Sequence, residues 1–336
     1  MALIQVACDL CGGEVFNMLY PSAVEVCDAW QVSTDESNMH TGDHAVNDAE
    51  RYFSSSRRNT GYLRIVRCDR CGLVMSNPQD DEATLSKIYR HMEDRVYENE
   101  QDNRRRKARH HLNLLANIHP HPGLLLDIGC STGIFLWEAQ AAGWQVTGQE
   151  PSNWAVTQAR HRLPDVHIIE GLVEDTNFPV ESFDVITLWD VLEHVHSPSS
   201  VLRRTYSWLK PGGLLCLNLP NVDSLIARAM GSHWIMLLRE HLWYFSPATI
   251  DAILEKCGFR LLIEQPNFVW FSPQNILRRL GQYPGSLGGL ANRLARIPAL
   301  KQPSLQFPVG EMLIMAQKLQ DQPIEKQGER KCPKAR

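Results

Sequence analysis

The chain has 336 residues, of which 43% are hydrophobic, and a formal net charge of −4. This length allows one large domain plus a small one with a sizeable core, while the weak negative charge gives no field that would steer the protein towards nucleic acid. The N-terminus lacks a basic segment followed by an apolar one, and no apolar run reaches the ~18 residues of a membrane-spanning helix. We therefore expect a soluble, cytoplasmic protein without a nucleic-acid partner.

Cysteines mark the first part of the chain. There are nine of them, an odd number, which argues against a disulfide framework. Four form two C-x-x-C pairs, Cys8 with Cys11 and Cys68 with Cys71, and a glycine follows each pair. Two thiolates at this spacing can face one ion, and two such pairs complete a tetrahedral site. We predict a structural zinc site in a small N-terminal domain over residues 1–80, with unrelated thiols as the alternative.

The stretch between and after the cysteine pairs is polar and then helical in pattern. Residues 33–60 are rich in Ser, Asn and Asp without periodicity, which predicts a mobile insert. Residues 81–122 carry apolar positions at helical spacing and are predicted to form a helical linker or lid. We interpret the basic run at 104–107 as a solvated helix face, with an anionic-substrate patch as the alternative. Tyr89 and Tyr97 are candidates for the lid or for packing between domains.

A strand, turn and helix pattern over residues 124–133 carries the first functional signal. An apolar run ends in Asp127, and two glycines then open a stretch with helical spacing. Gly129 permits backbone angles closed to residues with a Cβ, and Gly133 lets the helix start approach the strand closely. Glu150 ends a second short strand, where an acid can accept hydrogen bonds from both ribose hydroxyls. The pattern predicts a nucleotide-like ligand with a free ribose.

The same loop distinguishes between nucleotide ligands. It lacks the third glycine of a G-x-G-x-x-G turn and the Lys-Ser/Thr pair of a triphosphate site, and Asp127 would repel a pyrophosphate but suits a cation. The residues resemble the first motif, D-x-G-x-G-x-G, of the class I S-adenosylmethionine-dependent methyltransferases, with Ser131 at the middle glycine. S-Adenosylmethionine is therefore the expected cofactor. The resemblance implies these contact residues: Asp127, Gly129, Cys130, Ser131, Gly133, Glu150, Leu172, Val173, Glu174, Leu188 and Trp189.

Strand-like and helix-like segments alternate from residue 123 onwards, which is typical of a doubly wound parallel α/β sheet. The resemblance covers about residues 124–318 and implies a Rossmann-like sheet of seven strands, with 312–317 as its antiparallel edge. It includes a bacterial subgroup that joins an N-terminal zinc ribbon to the methyltransferase domain. We place that domain at 123–319 and a disordered, charged tail at 320–336.

Residues 274–300 form a distinct insert in this domain. Leucines and isoleucines recur there with arginines between them, a pattern that suits peripheral membrane contact or a lipid-linked acceptor. Pro284 and Gly285 interrupt the pattern. We therefore favour two short helices that roof the pocket.

Acids and histidines follow the fourth predicted strand. Asp190, Glu193 and His194 are spaced so that on a helix they would share one face, and His241 belongs to a later segment of the resembled subgroup. His194 or His241 could act as a general base titrating near working pH. The four residues could instead bind Mg or Mn, because they resemble the acid-x-x-Glu-His metal site of some small-RNA 2′-O-methyltransferases and ubiquinone-pathway O-methyltransferases. A structural role is the third possibility.

These patterns together predict a methyltransferase. It would move a methyl group from S-adenosylmethionine to a hydroxyl, or less favourably a carbon or nitrogen, of a small metabolite, sugar or lipid-linked glycan. Two alternatives remain at this stage, namely an NAD(P)-dependent oxidoreductase of similar fold and a catalytically silent zinc-ribbon binding protein. Asp127 argues against the oxidoreductase, because it would repel a pyrophosphate. The intact glycine loop and Glu150 argue against the catalytically silent protein.

Overall fold

The computed structural model describes residues 2–23, 61–93, 101–274, 277, 286–297, 300 and 305–319. Predictions for the polar insert, for Tyr97, for the C-terminal tail and for much of the 274–300 insert lie outside these residues. No helix within the described ranges is long and apolar enough to cross a membrane.

Strands and helices alternate through most of the described chain. The strands are β1 Leu3–Ile4, β2 Phe16–Tyr20, β3 Ile65–Cys68, β4 Val74–Ser76, β5 Gln79–Asp80, β6 Leu124–Ile128, β7 Gln145–Glu150, β8 His167–Glu170, β9 Phe183–Trp189, β10 Leu209–Pro220, β11 Trp243–Tyr244, β12 Phe259–Phe271 and β13 Leu305–Lys318. The helices are α1 Glu82–Arg90, α2 Gln101–Ala116, α3 Ile134–Ala141, α4 Asn153–Arg162, α5 Pro198–Trp208, α6 Leu225–Met230, α7 Pro247–Lys256 and α8 Ser286–Leu294.

The main sheet has seven strands in the order β12-β13-β10-β9-β6-β7-β8. The pairs from β10 to β8 are parallel, whereas β13 runs antiparallel to both of its neighbours. This mixed, Rossmann-like sheet is the one that the resemblance implies. One detail was wrong: the antiparallel strand β13 is not the edge of the sheet, because β12 covers it.

Helices cover both faces of the sheet, and alternate strand residues explain why. Leu125 and Val185 face a core shared with α2, α3 and α4, while the next residues along, Leu126 and Ile186, face a core shared with α5 and α7. All four side chains are fully buried. Apolar residues at successive positions of a central parallel strand require cover on both faces, which is why the apolar runs of β6 and β9 specify a doubly wound sheet.

The N-terminal part is bound into this architecture. We call residues 2–23 and 61–80 the cysteine module. Its strands β2, β3 and β4 form an antiparallel sheet whose fourth strand is β11, contributed from beyond β10. Cys8, Leu10 and Leu73 pack in the same core as one face of the main sheet. The cysteine module therefore shares both a sheet and a core with the rest of the protein.

Candidate cofactor and acceptor sites

The loop after β6 has the strained backbone that its glycines allow. Gly129, Ser131 and Gly133 all have positive φ angles, of 69°, 48° and 77°. A Cβ on Gly129 would lie 2.5 Å from a methyl group of Val191, so no other residue fits without a shift. At Gly133, a Cβ would lie 3.3 Å from that of Ala159 on α4. Both glycines thus serve the tight turn and close approach predicted for them.

Glu150 lies at the end of β7, directly beside this loop. Its carboxylate accepts the backbone N–H of Ser131 at 2.8 Å and that of Ser152 at 2.9 Å. Burial raises the pKa of Glu150 to about 7, although the two hydrogen bonds act in the opposite direction. Each carboxylate oxygen has a second lone pair. The side chain can therefore hold the loop and still accept hydrogen bonds from a ligand.

Asp127, near the end of β6, lies in an apolar setting. It is 2% exposed, and the hydroxyl of Thr187 donates a hydrogen bond of 2.6 Å to its Oδ1. Burial raises the pKa of Asp127 to about 8, and the nearby carboxylate of Glu150 adds to this effect. A cation bound beside the loop would favour the ionised form of both acids. This electrostatic arrangement matches the cationic ligand expected from the sequence.

The other predicted cofactor residues differ in how accessible they are. Leu188 and Cys130 are buried in the two cores, so contact with a ligand could come only through their backbone. Leu172 lines an open groove of about 540 Å³ between the loop after β8 and the start of α1. Val173 is buried beside it, and Glu174 has its pKa raised by burial. Residues of α1 and of the segment before it, among them Asp81 and Glu82, form the other side of the groove.

Two histidines meet beyond the ends of β9 and β10. The Nδ1–H of His194 donates to the carbonyl of Glu240 at 3.0 Å, and that of His241 donates to the carbonyl of Met236 at 2.9 Å. The rings cross nearly at right angles with centroids 4.7 Å apart. Because both Nδ1 atoms donate, each Nε2 carries a free lone pair.

Burial determines the charge of this pair. It lowers the pKa of His194 to about 4 and that of His241 well below its ordinary value. The expectation that a histidine here titrates near working pH was therefore wrong. Both imidazoles are neutral at pH 7, which leaves their Nε2 atoms available as proton acceptors or metal ligands.

Glu193 completes a compact group with the two histidines. Its Oε2 has no hydrogen-bond partner in the described part of the chain, and burial raises its pKa well above the usual range. One ligand atom each from Glu193, His194 and His241 lies within 4.8 Å of the others. Two imidazole nitrogens and one carboxylate oxygen at these distances are a set that could hold a metal ion.

The predicted helical face after β9 was wrong. Residues 190–196 form turns, and Asp190 has a positive φ of 59°. Its carboxylate turns away from the histidines to bond with Lys107, at 3.1 Å, and with the amide of Asn218. Asp190 is therefore not part of the Glu193, His194 and His241 group.

The basic run at 104–107 does not form a solvated helix face as expected. Arg105 pairs with the buried Glu138 of α3 and lies 4.3 Å over the ring of Trp137. Lys107 points into the sheet edge, where it contacts Asp190 and, at 3.4 Å, Glu311. Helical spacing alone could not reveal this, because both partners of Lys107, Asp190 and Glu311, lie far away in the sequence.

The four cysteines of the module come together as predicted. The Sγ atoms of Cys8 and Cys71 are 3.4 Å apart and those of Cys11 and Cys68 are 3.5 Å apart. All four sulfurs lie within 4.8 Å of one another. Zn–S bonds of about 2.3 Å in a tetrahedron place sulfurs just under 4 Å apart, so the arrangement fits a zinc ion.

Comparison with known proteins finds similarity to methyltransferases in the part of the chain that contains the loop after β6. Residues 101–264 match a family described as methyltransferase domain. A ubiquinone biosynthesis O-methyltransferase of Aeromonas salmonicida is 26% identical over 170 residues, which cover 47% of this chain and 71% of that protein. A tRNA U34 carboxymethyltransferase of Azotobacter vinelandii is 30% identical over 155 residues, covering 42% of this chain and 48% of that protein. The crystal structure of YcgJ from Bacillus subtilis aligns at 19% identity and a TM-score of 0.48, covering 63% of this chain and all of that one.

The strand order, the acid-and-glycine loop and the family match define a class I, S-adenosylmethionine-dependent methyltransferase domain in this chain. The protein is accordingly an S-adenosylmethionine-dependent methyltransferase. This sets aside the oxidoreductase and the silent binding protein. The acceptor does not follow from these matches, since the chain spans about half the length of the tRNA-modifying relative.

Proposed function

We propose that the protein methylates a hydroxyl group of a small metabolite, sugar or lipid-linked glycan. The observation that carries this proposal is the neutral pair of His194 and His241, whose Nε2 lone pairs are left free because both Nδ1 atoms donate to backbone carbonyls. A hydroxyl must lose a proton during methylation, and such a lone pair can receive it. An O-methyltransferase among the relatives supports the same choice over carbon or nitrogen.

The cofactor would be held at the loop after β6. Glu150 would accept hydrogen bonds from the ribose, the positive-φ turn through Gly129 and Gly133 would bring backbone close to the ligand, and Asp127 would favour its positive charge. When bound, S-adenosylmethionine supplies an electrophilic methyl group. The groove beside Leu172 would take the adenine.

The chain's own contribution to the reaction is positioning and proton transfer. The acceptor oxygen would be held in line with the methyl group, and its proton would pass to Nε2 of His241 or His194. Holding the two reacting atoms in this geometry supplies much of the rate acceleration even with a weak base. A neutral histidine with a lowered pKa is a weak base, so the proposal places most of the catalysis in positioning.

A metal ion is the second candidate role for the same group, because the unpaired oxygen of Glu193 points to a missing partner. Of the two ions suggested by the sequence, Mn²⁺ suits imidazole nitrogen better than Mg²⁺ does. Dialysed protein incubated with Mn²⁺ should then retain one ion per chain by elemental analysis, and Glu193→Gln should retain none. Absence of Mn²⁺ from both would leave the base role.

A structural zinc ion is proposed for Cys8, Cys11, Cys68 and Cys71. The four thiolates would fill its coordination sphere and leave no open position for chemistry. Protein purified without chelators should contain one zinc per chain, and Cys68→Ser should reduce that content. Unchanged zinc in the variant would contradict the assignment.

The proposed reaction is tested with S-adenosylmethionine labelled in the methyl group and a panel of hydroxylated acceptors. We expect label in a methyl ether, identified by mass spectrometry after product isolation. Label found on carbon or nitrogen would retain the enzyme class but overturn the hydroxyl acceptor.

A further inference from the structure

Helix α8 and the turn that follows it expose their large apolar side chains. Leu290, Leu294 and Ile297 are 54%, 38% and 43% exposed. The backbone N–H of Ile297 donates to the carbonyl of Leu294, so the chain keeps winding past the end of α8. At spacings of four and three residues, the three side chains share one face. A surface helix normally turns such a stripe towards the core, so this outward stripe points to an apolar environment outside the protein.

Small side chains form the opposite, inner face of this segment. Ala291 and Ala295 are buried, and each directly follows one of the exposed leucines in the sequence. The carbonyl of Ala295 accepts a hydrogen bond of 2.7 Å from Nε2 of Gln274, whose side chain is itself buried. The segment is therefore seated on the protein through its alanines, and this contact fixes the leucines outward.

Positive charge accompanies the exposed stripe. Arg293 and Arg296 are exposed, and neither forms an ion pair with an acid in the described part of the chain. Residues 265–310 contain no Asp or Glu, although the whole chain has a net charge of −4. The same residues contain five basic side chains, namely Arg278, Arg279, Arg293, Arg296 and Lys301. This segment is thus a basic region in an acidic protein, and it would attract a negatively charged surface.

We propose that this face of α8, formed by Leu290, Arg293, Leu294, Arg296 and Ile297, docks the protein on a membrane surface that contains anionic phospholipids. The apolar side chains would enter the boundary between head groups and acyl chains, and the arginines would contact the phosphates. With nine residues, α8 is far too short to cross a bilayer and would lie along its surface. The inference goes beyond the proposed function, because it holds whichever group is methylated.

Other occupants fit the docking face of α8 less well. In a symmetric dimer the same patch contacts itself, which would bring Arg293 and Arg296 near their own copies without an acid from residues 265–310 to offset them. A folded protein partner needs about 800 Å² on each side, whereas this face is one short helix and its final turn. A fluid lipid surface needs neither a matching shape nor paired acids.

The test is sedimentation of the full chain with sucrose-loaded vesicles. One set of vesicles contains only phosphatidylcholine, and the other is an equal mixture of phosphatidylcholine and phosphatidylglycerol. We expect the partition coefficient to be higher by about tenfold or more for the anionic vesicles, and to fall as salt is added. Hydrogen exchange measured on the same sample should show that the anionic vesicles protect residues 286–297.

Two double variants separate the apolar contribution from the charge. Leu290→Gln with Leu294→Gln keeps the arginines and should lower the partition coefficient for anionic vesicles by about tenfold or more. Arg293→Gln with Arg296→Gln keeps the leucines and should remove most of the preference for anionic lipid. All four side chains are exposed, so both variants should fold, which thermal melting verifies.

The matched control lies on another helix with an exposed leucine and an arginine. Leu225 of α6 is 84% exposed, but Arg228 of the same helix pairs with Asp223 at 3.8 Å, so its charge is balanced. Leu225→Gln with Arg228→Gln should therefore leave the partition coefficient within about twofold of the wild type.

The outcomes distinguish the lipid surface from the other occupants. Binding to neither kind of vesicle, equal binding to both, or unchanged binding in both α8 variants would overturn the inference. A dimer in light scattering that Leu290→Gln with Leu294→Gln converts to a monomer would overturn it in favour of a second copy. A protein that binds the vesicles through α8 but methylates no hydroxyl would retain this inference and contradict the proposed function.

Discussion

Two regions lie at the carboxyl ends of the parallel strands: the cofactor half, around Gly129 and Glu150, and the proposed acceptor half, around His194 and His241. They are stabilised in different ways. On the cofactor half, Glu150 bonds to Ser152, two residues further on, and to Ser131, which belongs to the same continuous unit of β6, α3 and β7. On the acceptor half, the segment that carries His241 is held from the cysteine module: the hydroxyl of Ser76 donates to the carbonyl of His241 at 3.0 Å, and β4 pairs with β11. The cofactor half is a local structure, whereas the acceptor half depends on residues far away in the chain.

A buried ion pair adds to this dependence. Arg239 forms a bidentate ion pair with the fully buried carboxylate of Asp80. Its Nη2 donates to Oδ1 at 2.9 Å and its Nε donates to Oδ2 at 3.1 Å. Asp9, between two cysteines of the module, accepts hydrogen bonds from Ser197 and Ser199 at the start of α5. The cysteine module is therefore expected to position the acceptor side rather than to act as an independent domain.

The largest effect is expected at the histidine pair. His241→Ala should reduce turnover about 10²-fold, the lower end of the range for a general base, because its lowered pKa makes it a weak one. Affinity for S-adenosylhomocysteine should stay constant, because Glu150 keeps its contacts with the cofactor loop. His233→Ala, on the exposed turn after α6, is the matched control and should retain normal turnover. Near-normal turnover in both His241→Ala and His194→Ala would make the pair structural.

The pH dependence of turnover tests whether His194 and His241 are neutral during the reaction. Because burial lowers the pKa of His194 to about 4 and that of His241 well below its usual value, both bases are neutral from pH 6 upwards. Turnover of the wild type should therefore be flat between pH 6 and 8. A rise through an ordinary histidine pKa near 6.5 would show that the pair is solvated during the reaction.

An intermediate effect is expected on the cofactor half. Glu150→Ala should weaken binding of S-adenosylhomocysteine by about 1.5–3 kcal/mol, the scale of a lost charged hydrogen bond. Glu150→Gln keeps an acceptor for Ser131 and should lose less. Calorimetry measures both, and unchanged affinity in Glu150→Ala would contradict the ribose assignment.

The smallest effect concerns stability. The pKa of Asp127 is raised to about 8 in the folded protein, so the folded state binds this proton more tightly than the unfolded chain. The stability that Asp127 contributes is full below about pH 4 and is lost as the pH rises to about 8. In Asp127→Asn, the amide oxygen can still accept the hydrogen bond from Thr187, and the uncharged side chain removes the loss of stability at high pH. The cofactor-free variant should therefore melt above the wild type at pH 8 by a margin that shrinks towards pH 5; a constant margin would contradict the raised pKa.

The difference between the halves also explains what the sequence could reveal. The loop at Gly129 and the acid Glu150 could be predicted because the signal lies in the strand and turn around each of them. Each cysteine pair could be predicted from its short C-x-x-C spacing. Asp190 was assigned to a helix because its spacing to His194 is helical, but Lys107 and Asn218 hold it in a left-handed turn. No local pattern identifies such partners.

Strand β13 and the hydrogen bonds of Glu311 with Asn218 and Asn267 illustrate the same limit. The family resemblance implied a strand at 312–317, but its place between β12 and β10 depends on pairing with segments far away in the chain. Asn218, Asn267 and Glu311 were not recognised in the sequence, since single polar residues on apolar strands carry no signal until the strands are aligned.

The most direct test of this comparison is to remove the metal site of the cysteine module and measure both halves of the sheet edge in the same sample. In Cys68→Ser, we expect calorimetric affinity for S-adenosylhomocysteine within threefold of the wild type, because Asp127 and Glu150 keep their local contacts. Methyl transfer should fall at least tenfold, because Ser76 and Asp80 no longer hold the His241 segment. Equal loss of binding and turnover, or full turnover without zinc, would contradict the account.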